Sequence, residues 1–193
     1  MNIILVVGPS GSGKDTLLRS AKRALAGHHN IAFVRRYITR PPDENEDNYY
    51  IDFACFDFLR QRGFFLSSWQ AHSNYYGLAE HSFSVHNSLT TIVCSISRSA
   101  IADFDARFTR AHTIHVSVDM ATLEERLRHR GRESEAAVQR RLARAESKVE
   151  AKKCIAFDNS DSLEQSCGRF ISLLERLSQP RTYTAQRQSS HSI

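Results

Sequence analysis

The chain has 193 residues, 41% of them hydrophobic and 24% charged, with a formal net charge of +5 at pH 7, which suits one globular domain with a sizeable core. Of its 26 basic residues 21 are Arg, the side chain that grips phosphate through a planar fork. An anionic small molecule is therefore the expected partner, and no basic stripe interleaved with aromatics points to nucleic acid.

Ile3 to Val7 is an unbroken aliphatic run, as a strand buried on both faces of a parallel sheet requires. Gly8-Pro9-Ser10-Gly11-Ser12-Gly13-Lys14-Asp15-Thr16 follows, with the spacing of a phosphate-binding loop. Its glycines permit a tight turn that gathers N–H donors at a helix N-terminus, and Lys14 is placed to reach the β- and γ-phosphates of ATP. Asp15 stands where a hydroxyl normally holds Mg²⁺, and the hydroxyl comes one residue later, at Thr16. Either oxygen suits that hard cation, so both are candidate metal ligands.

Leu17, Leu18, Ala21 and Leu25 recur at helical spacing up to Gly27, and Ile31 to Val34 opens a second strand. The prolines Pro41-Pro42 and the acidic run from Asp43 to Asp47 predict an exposed, mobile segment. A short helix is expected over 56–62, a strand over 64–69, and a loop over 70–77 that presents polar tips from an aromatic base. Thr90 to Ile96 and Thr113 to Val118 read as buried strands with helical patterns at about 100–108 and 120–130. The alternation means parallel β/α. His115 alternates with apolar neighbours and is expected to be packed rather than a ligand. A long helix is predicted over 134–153, a strand over 155–157 and an amphipathic helix over 163–177. The polar tail 178–193 is expected to be disordered. Asn159, after the last strand, suits either adenine contact or a cap or turn role.

Arg126, Arg128, Arg130, Arg132, Arg140, Arg141 and Arg144 cluster around Gly131. Phosphoryl transfer asks a protein to position reactants and neutralise spreading charge, which suits arginines arriving on a closing flap. Arg130 and Arg132 are the first choices. A solvated helix face paired with Glu124, Glu125 and Glu135 is the competing role for Arg126, Arg128 and Arg144. The cysteines Cys55, Cys94, Cys154 and Cys167 show neither paired nor metal-ligand spacing, so reduced thiols in the cytoplasm are expected. No signal peptide or membrane span is expected.

The loop, Ile38-Thr39-Arg40-Pro41-Pro42, Asn74-Tyr75-Tyr76-Gly77 and Arg130-Gly131-Arg132-Glu133 followed by Gln139-Arg140-Arg141-Leu142 together resemble the guanylate kinases over most of 3–177. The resemblance implies a P-loop kinase of α/β class, a parallel sheet flanked by helices. It implies a single domain over 1–177, an acceptor-binding segment at about 35–80 and an arginine-rich lid at about 126–144. Arg40 and Tyr76 would hold the acceptor phosphate, and Arg130 and Arg141 would be lid and following-helix arginines. Yet the acidic base-reading positions carry Ser67, in Phe65-Leu66-Ser67, and Cys94-Ser95-Ile96-Ser97-Arg98. Guanine needs acceptors for its N–H groups, and leaving them unmatched is costly.

The variant details, Lys14-Asp15, Arg36 to Arg40, Ser68-Trp69 and Ser97-Arg98, resemble the ribose 1,5-bisphosphate phosphokinases of bacterial phosphonate utilisation. That resemblance implies ATP- and Mg²⁺-dependent conversion of ribose 1,5-bisphosphate to 5-phosphoribosyl 1-diphosphate and ADP, with the 5-phosphate expected as the acceptor end. Ser67 and Arg98 would bind this sugar. Two other classes share the frame: a nucleoside monophosphate kinase that reads its base with other residues, and a non-catalytic guanylate-kinase-like binding module, which tends to lose the phosphate loop.

Overall fold

In the computed structural model the aliphatic run forms β1 (Asn2–Val7), every residue of which is buried. The structure described here is that of residues 1–41, 47–71, 73–129, 135–145 and 147–179. β1 is the middle strand of a five-stranded sheet that also contains β2 (Ile31–Val34), β7 (Thr91–Ser95), β8 (Ala111–Ser117) and β9 (Cys154–Asp158), in the order β2-β7-β1-β8-β9. All four pairings are parallel. Such a sheet must be covered on both faces because its strands are apolar all round.

Ile4, Val6, Val93, Ile114 and Val116 pack on one face against α1 (Lys14–Ala24) and α7 (Leu163–Ser178). Ile3, Leu5, Ile92 and Cys94 pack on the other against Ile101 and Phe104 of α4 (Ile101–Arg107) and Phe83 of α3 (His81–Ser84). The alternation of Cβ atoms along each strand divides these residues between the two layers. Burial pushes the Cys94 thiol up to about 12, so it stays protonated. The four cysteines are free thiols.

A second sheet of four strands, in the order β4-β3-β6-β5, is built from the stretch expected to bind the acceptor. It comprises β3 (Tyr37–Ile38), β4 (Tyr49–Tyr50), β5 (Phe65–Ala71) and β6 (Asn74–Ala79), with α2 (Phe53–Gln61) between β4 and β5. The loop expected over 70–77 is instead a hairpin: β5 and β6 pair antiparallel from Phe65↔Ala79 to Ala71↔Asn74. The polar tips that suggested a loop lie on strands whose partners, β3 and β5, satisfy their backbone. Asp52 caps α2 by accepting from Cys55 N at 2.8 Å, which starts that helix earlier than its apolar spacing suggested.

The segment expected to act as a lid forms α5 (Met120–His129) and α6 (Glu135–Ala145), packed around their own cluster of Val118, Leu123, Leu127, Val138 and Leu142. The helix expected over 134–153 stops at Ala145. Beyond it Val149 and Ala151 turn into the sheet's core, and the Ser147 carbonyl accepts from Arg98 Nη1 at 2.7 Å. Tertiary contacts there outweigh helix propensity. At the other end α7 runs one residue into the expected tail, and Ser178 is buried. Residues 180–193 lie outside the described residues. No helix among the described residues is long and apolar enough to cross a membrane.

Candidate active site

The phosphate loop joins the C-terminal end of β1 to α1, where open α/β sheets place their ligands. Two of its glycines are required by space. A Cβ on Gly8 would lie 2.2 Å from Val116 O, and one on Gly13 would lie 2.3 Å from Asn159 Nδ2, at a φ of +85° that L side chains avoid. Asn159 explains the second contact. It is buried, and its Nδ2 donates to Ser12 O at 2.7 Å while its own N–H donates to Ser117 O at 2.8 Å. Asn159 thus ties the loop to the end of β8, a bracing role.

Lys14 lies back over the loop, with Nζ donating to Gly8 O and Pro9 O at 2.8 Å each. The first turn of α1 leaves its leading N–H groups without intrahelical acceptors, as any helix start does, and Ser12 Oγ is buried with no partner among the described residues. Oriented donors, an ammonium and an orphaned hydroxyl fit a polyphosphate. The hard oxygens of Asp15 and Thr16 fit Mg²⁺ shared with that polyphosphate, since this ion commonly takes only one or two protein ligands.

The lid approaches from above. Leu123 Cδ1 and Leu127 Cδ2 would lie 3.0 Å and 3.4 Å from a Cβ on Gly11. Arg126 Nη1 reaches Gly11 O at 3.5 Å, and Arg141 Nη1 donates to Ser10 Oγ at 2.9 Å. Arg128 goes elsewhere, donating to Glu124 and to both carboxylate oxygens of Glu135 on the exposed side. The cluster therefore divides, with Arg126 and Arg141 at the loop and Arg128 on the solvated face. Arg130 and Arg132 lie outside the described residues.

The acceptor segment closes the third side. Tyr76 is buried, stacked on Trp69 with 5.8 Å between ring centroids, and it pairs with Ile38 of β3, two residues before Arg40. Arg40 Nη1 donates to Pro41 O at 3.2 Å. Ser67 is buried and its hydroxyl donates to Asp103 Oδ2 at 2.6 Å, so its hydrogen is committed to α4. Arg98 holds the Ser147 carbonyl, and burial depresses its pKa. Next to it His115 is half-buried with Nε2 unpartnered among the described residues. Burial first, then Arg98 and Lys14, hold its imidazole below the usual histidine range. The neutral form therefore prevails at pH 7.

One residue that the sequence reading passed over stands at the junction. Arg36 donates from Nε to Asn48 Oδ1 at 3.1 Å, from Nη1 to Ser95 Oγ at 3.2 Å and from Nη2 to Asp15 Oδ1 at 3.4 Å. Its guanidinium also lies 5.7 Å from the Tyr76 ring centroid. It touches the phosphate loop, the end of β7 and the acceptor segment at once. Counting back by twos from buried Ile38 puts Arg36 and Arg40 on the same face, a signal the sequence did contain. Asp47, which ends the acidic run expected to be mobile, is ion-paired with Arg35 at 2.6 Å and also with Lys22. Positions 43–46 of that run, with Pro42 before it, lie outside the described residues.

Comparison with known proteins places this geometry. The guanylate kinase family model matches residues 1–177. The ribose 1,5-bisphosphate phosphokinase PhnN of Acidiphilium cryptum is 39% identical over 174 residues, 90% of this chain and 92% of that protein. The protein of the same name from Agrobacterium fabrum is 33% identical over 90% of this chain and 96% of its own length. Among solved structures, guanylate kinase from Anaplasma phagocytophilum superposes with a TM-score of 0.65 at 19% identity, covering 93% of this chain and 87% of that one, which speaks for the fold. The chain thus belongs to the guanylate kinase family and, within it, to the ribose 1,5-bisphosphate phosphokinases.

Proposed function

We propose that this protein transfers the γ-phosphoryl group of ATP to ribose 1,5-bisphosphate, giving 5-phosphoribosyl 1-diphosphate and ADP. The observation that carries it is a phosphate loop with two lid guanidiniums, Arg126 and Arg141, against it, facing an acceptor segment whose junction residue is Arg36. Relatives matched over nine-tenths of the chain are named for this activity. The product fixes which end reacts. Its diphosphate is at C1, so an oxygen of the 1-phosphate forms the new P–O bond, the bond from the γ-phosphorus to the β-phosphate oxygen breaks, and ADP leaves with that electron pair. The acceptor is therefore the 1-phosphate, and the 5-phosphate expectation is corrected.

An acceptor phosphate is ionised at neutral pH, so no general base is needed and none of these residues is assigned that role. Lys14, Arg141 and Arg126 offset the charge spread over the transferred group, which is the main demand of such a step. Arg130 and Arg132 belong to the same lid. Mg²⁺ would be held by Asp15 or Thr16 and would supply Lewis-acid neutralisation of phosphate charge. The apolar lid cluster, with Leu123 and Leu127 over Gly11, excludes water that would hydrolyse ATP. Arg40 and Tyr76 hold the 1-phosphate. The sheet and helices of 1–177 form one domain with the acceptor segment and lid as its moving parts.

A coupled ADP-release assay on ribose 1,5-bisphosphate, GMP and AMP tests the reading. Turnover on the sugar and little on either nucleotide is expected. Turnover on GMP alone would replace it with a guanylate kinase activity, and none on any acceptor would favour a binding module.

A further inference from the structure

If the 1-phosphate reacts, the 5-phosphate needs a seat of its own, one that a nucleobase would not use. Beside Arg36 lies a cavity of about 80 Å³ between α1, the ends of β2 and β7, and the start of the acceptor segment. By the same measure one water needs roughly 10–15 Å³, so several waters, or a group the size of a phosphate, fit. Its charged lining is Arg19, Lys22, Arg35 and Arg36 against Asp15 and Asp47, an excess of cations over carboxylates.

These cations are not equivalent. Asp47 binds both Lys22 and Arg35, and Arg35 also lies over the Tyr49 ring at 4.1 Å. Arg36 is differently placed. A guanidinium carries five N–H donors, and Arg36 directs three at Asn48, Ser95 and Asp15, leaving two N–H groups with no acceptor among the described residues. Its side chain is only 14% exposed, so those two donors have little water to turn to. Its one ionic partner, Asp15, is a long 3.4 Å away, and Asp15 is also a candidate Mg²⁺ ligand.

Resting on the reaction assigned above, we propose that Arg36 and this cavity bind the non-reacting 5-phosphate and so select a bisphosphorylated sugar. Arg36 supplies the anion-binding fork, and Asn48 and Ser95 hold that fork in plane. Arg19 adds charge from the wall formed by α1.

The test compares kcat/KM for ribose 1,5-bisphosphate and ribose 1-phosphate, which differ only in the 5-phosphate. Losing a charge-assisted hydrogen bond costs about tenfold or more, so the ratio between the two sugars should fall at least that far in Arg36→Ala. Arg36→Lys, which keeps the charge without the fork, should retain part of the discrimination. Arg19→Ala, at a partly buried position of α1, removes one cation from the cavity wall and should lower the ratio less. A ratio unchanged in all three variants, with both sugars losing equally, would overturn the assignment and place Arg36 at the reacting phosphate or in a structural role. A wild-type protein inactive on ribose 1,5-bisphosphate would overturn the reaction itself, and this seat with it.

Discussion

The donor corner and the acceptor crevice are built in opposite ways. The corner is made by contiguous residues: β1, the glycine loop and the first turn of α1 follow one another, and remote side chains, buried Asn159 with Arg36, Arg126 and Arg141, only touch it from outside. The crevice is made by segments far apart in sequence, with Arg36, Asn48, Tyr76 and Ser95 meeting around one guanidinium. The groups expected to bind phosphate are thus local to one stretch of the chain, whereas those proposed to select the acceptor depend on how its two sheets are set together. A change in the corner should stop all chemistry, and a change in the crevice should alter which acceptor is used.

Lys14→Ala is the largest expected effect. The fold should survive, because α1 is anchored by buried Leu17 and Ala21 rather than by Lys14. Turnover should fall by about 10²–10³-fold or more, the loss seen when one preorganised stabiliser of transition-state charge is removed. Steady-state kinetics beside a melting curve checks both halves. A mutant with near-normal kcat would mean that the corner does not neutralise the transferred group.

Asn159→Ala probes the buried long-range tie of the corner. It leaves Ser12 O buried without its donor, a cost of about 1–3 kcal/mol. A lower melting temperature and weaker ATP binding should appear together. If ATP binding held while stability fell, the loop would be self-supporting and the contrast between the two regions sharper still.

The contrast also explains what could be read from the sequence. The strand-loop-helix unit and the alternation of buried strands were legible because each depends on neighbours within a few residues. The hairpin of β5 and β6 was not, since Asn74 to Gly77 carries loop-like tips and only pairing with β3 and β5 makes it a strand. The division of the lid arginines was likewise hidden. Arg126 and Arg128 are two residues apart, and helical geometry turns one to Gly11 and the other to Glu124 and Glu135. The resemblance puts Ser67 where a base-reading carboxylate is expected, yet its hydroxyl is bound to Asp103, a contact across 36 residues that no local pattern reveals. Asp15 was recognised as unusual in the loop, but its pairing with Arg36 required the second sheet.

A smaller effect is expected from pH. The folded protein holds His115 below 6.5 by burial and by Arg98 and Lys14, so in the window from 6.5 down to that lowered value the unfolded chain binds the extra proton. Stability should therefore fall as pH drops below about 6.5. His115→Phe should flatten that part of the stability curve, as followed by denaturant midpoints between pH 5 and 7. An equally steep curve in the variant would assign the dependence to another group.

The smallest effect should come from Arg128→Ala, and it bears on the lid that joins the two regions. Arg128 bridges α5 to α6 through Glu124 and Glu135 on the exposed side, where water and salt screen such pairs and holding long side chains in place costs entropy. Its neighbour Arg126 faces the loop instead. If the lid works through the guanidiniums that reach the phosphate loop, Arg128→Ala should leave kcat within a small factor of wild type and shift the melting temperature slightly. The same measurement on Arg126→Ala should show a clear drop in kcat. Equal losses in the two variants would mean that the α5–α6 bridge, and hence the posture of the whole lid, matters more to transfer than which arginine points at the loop.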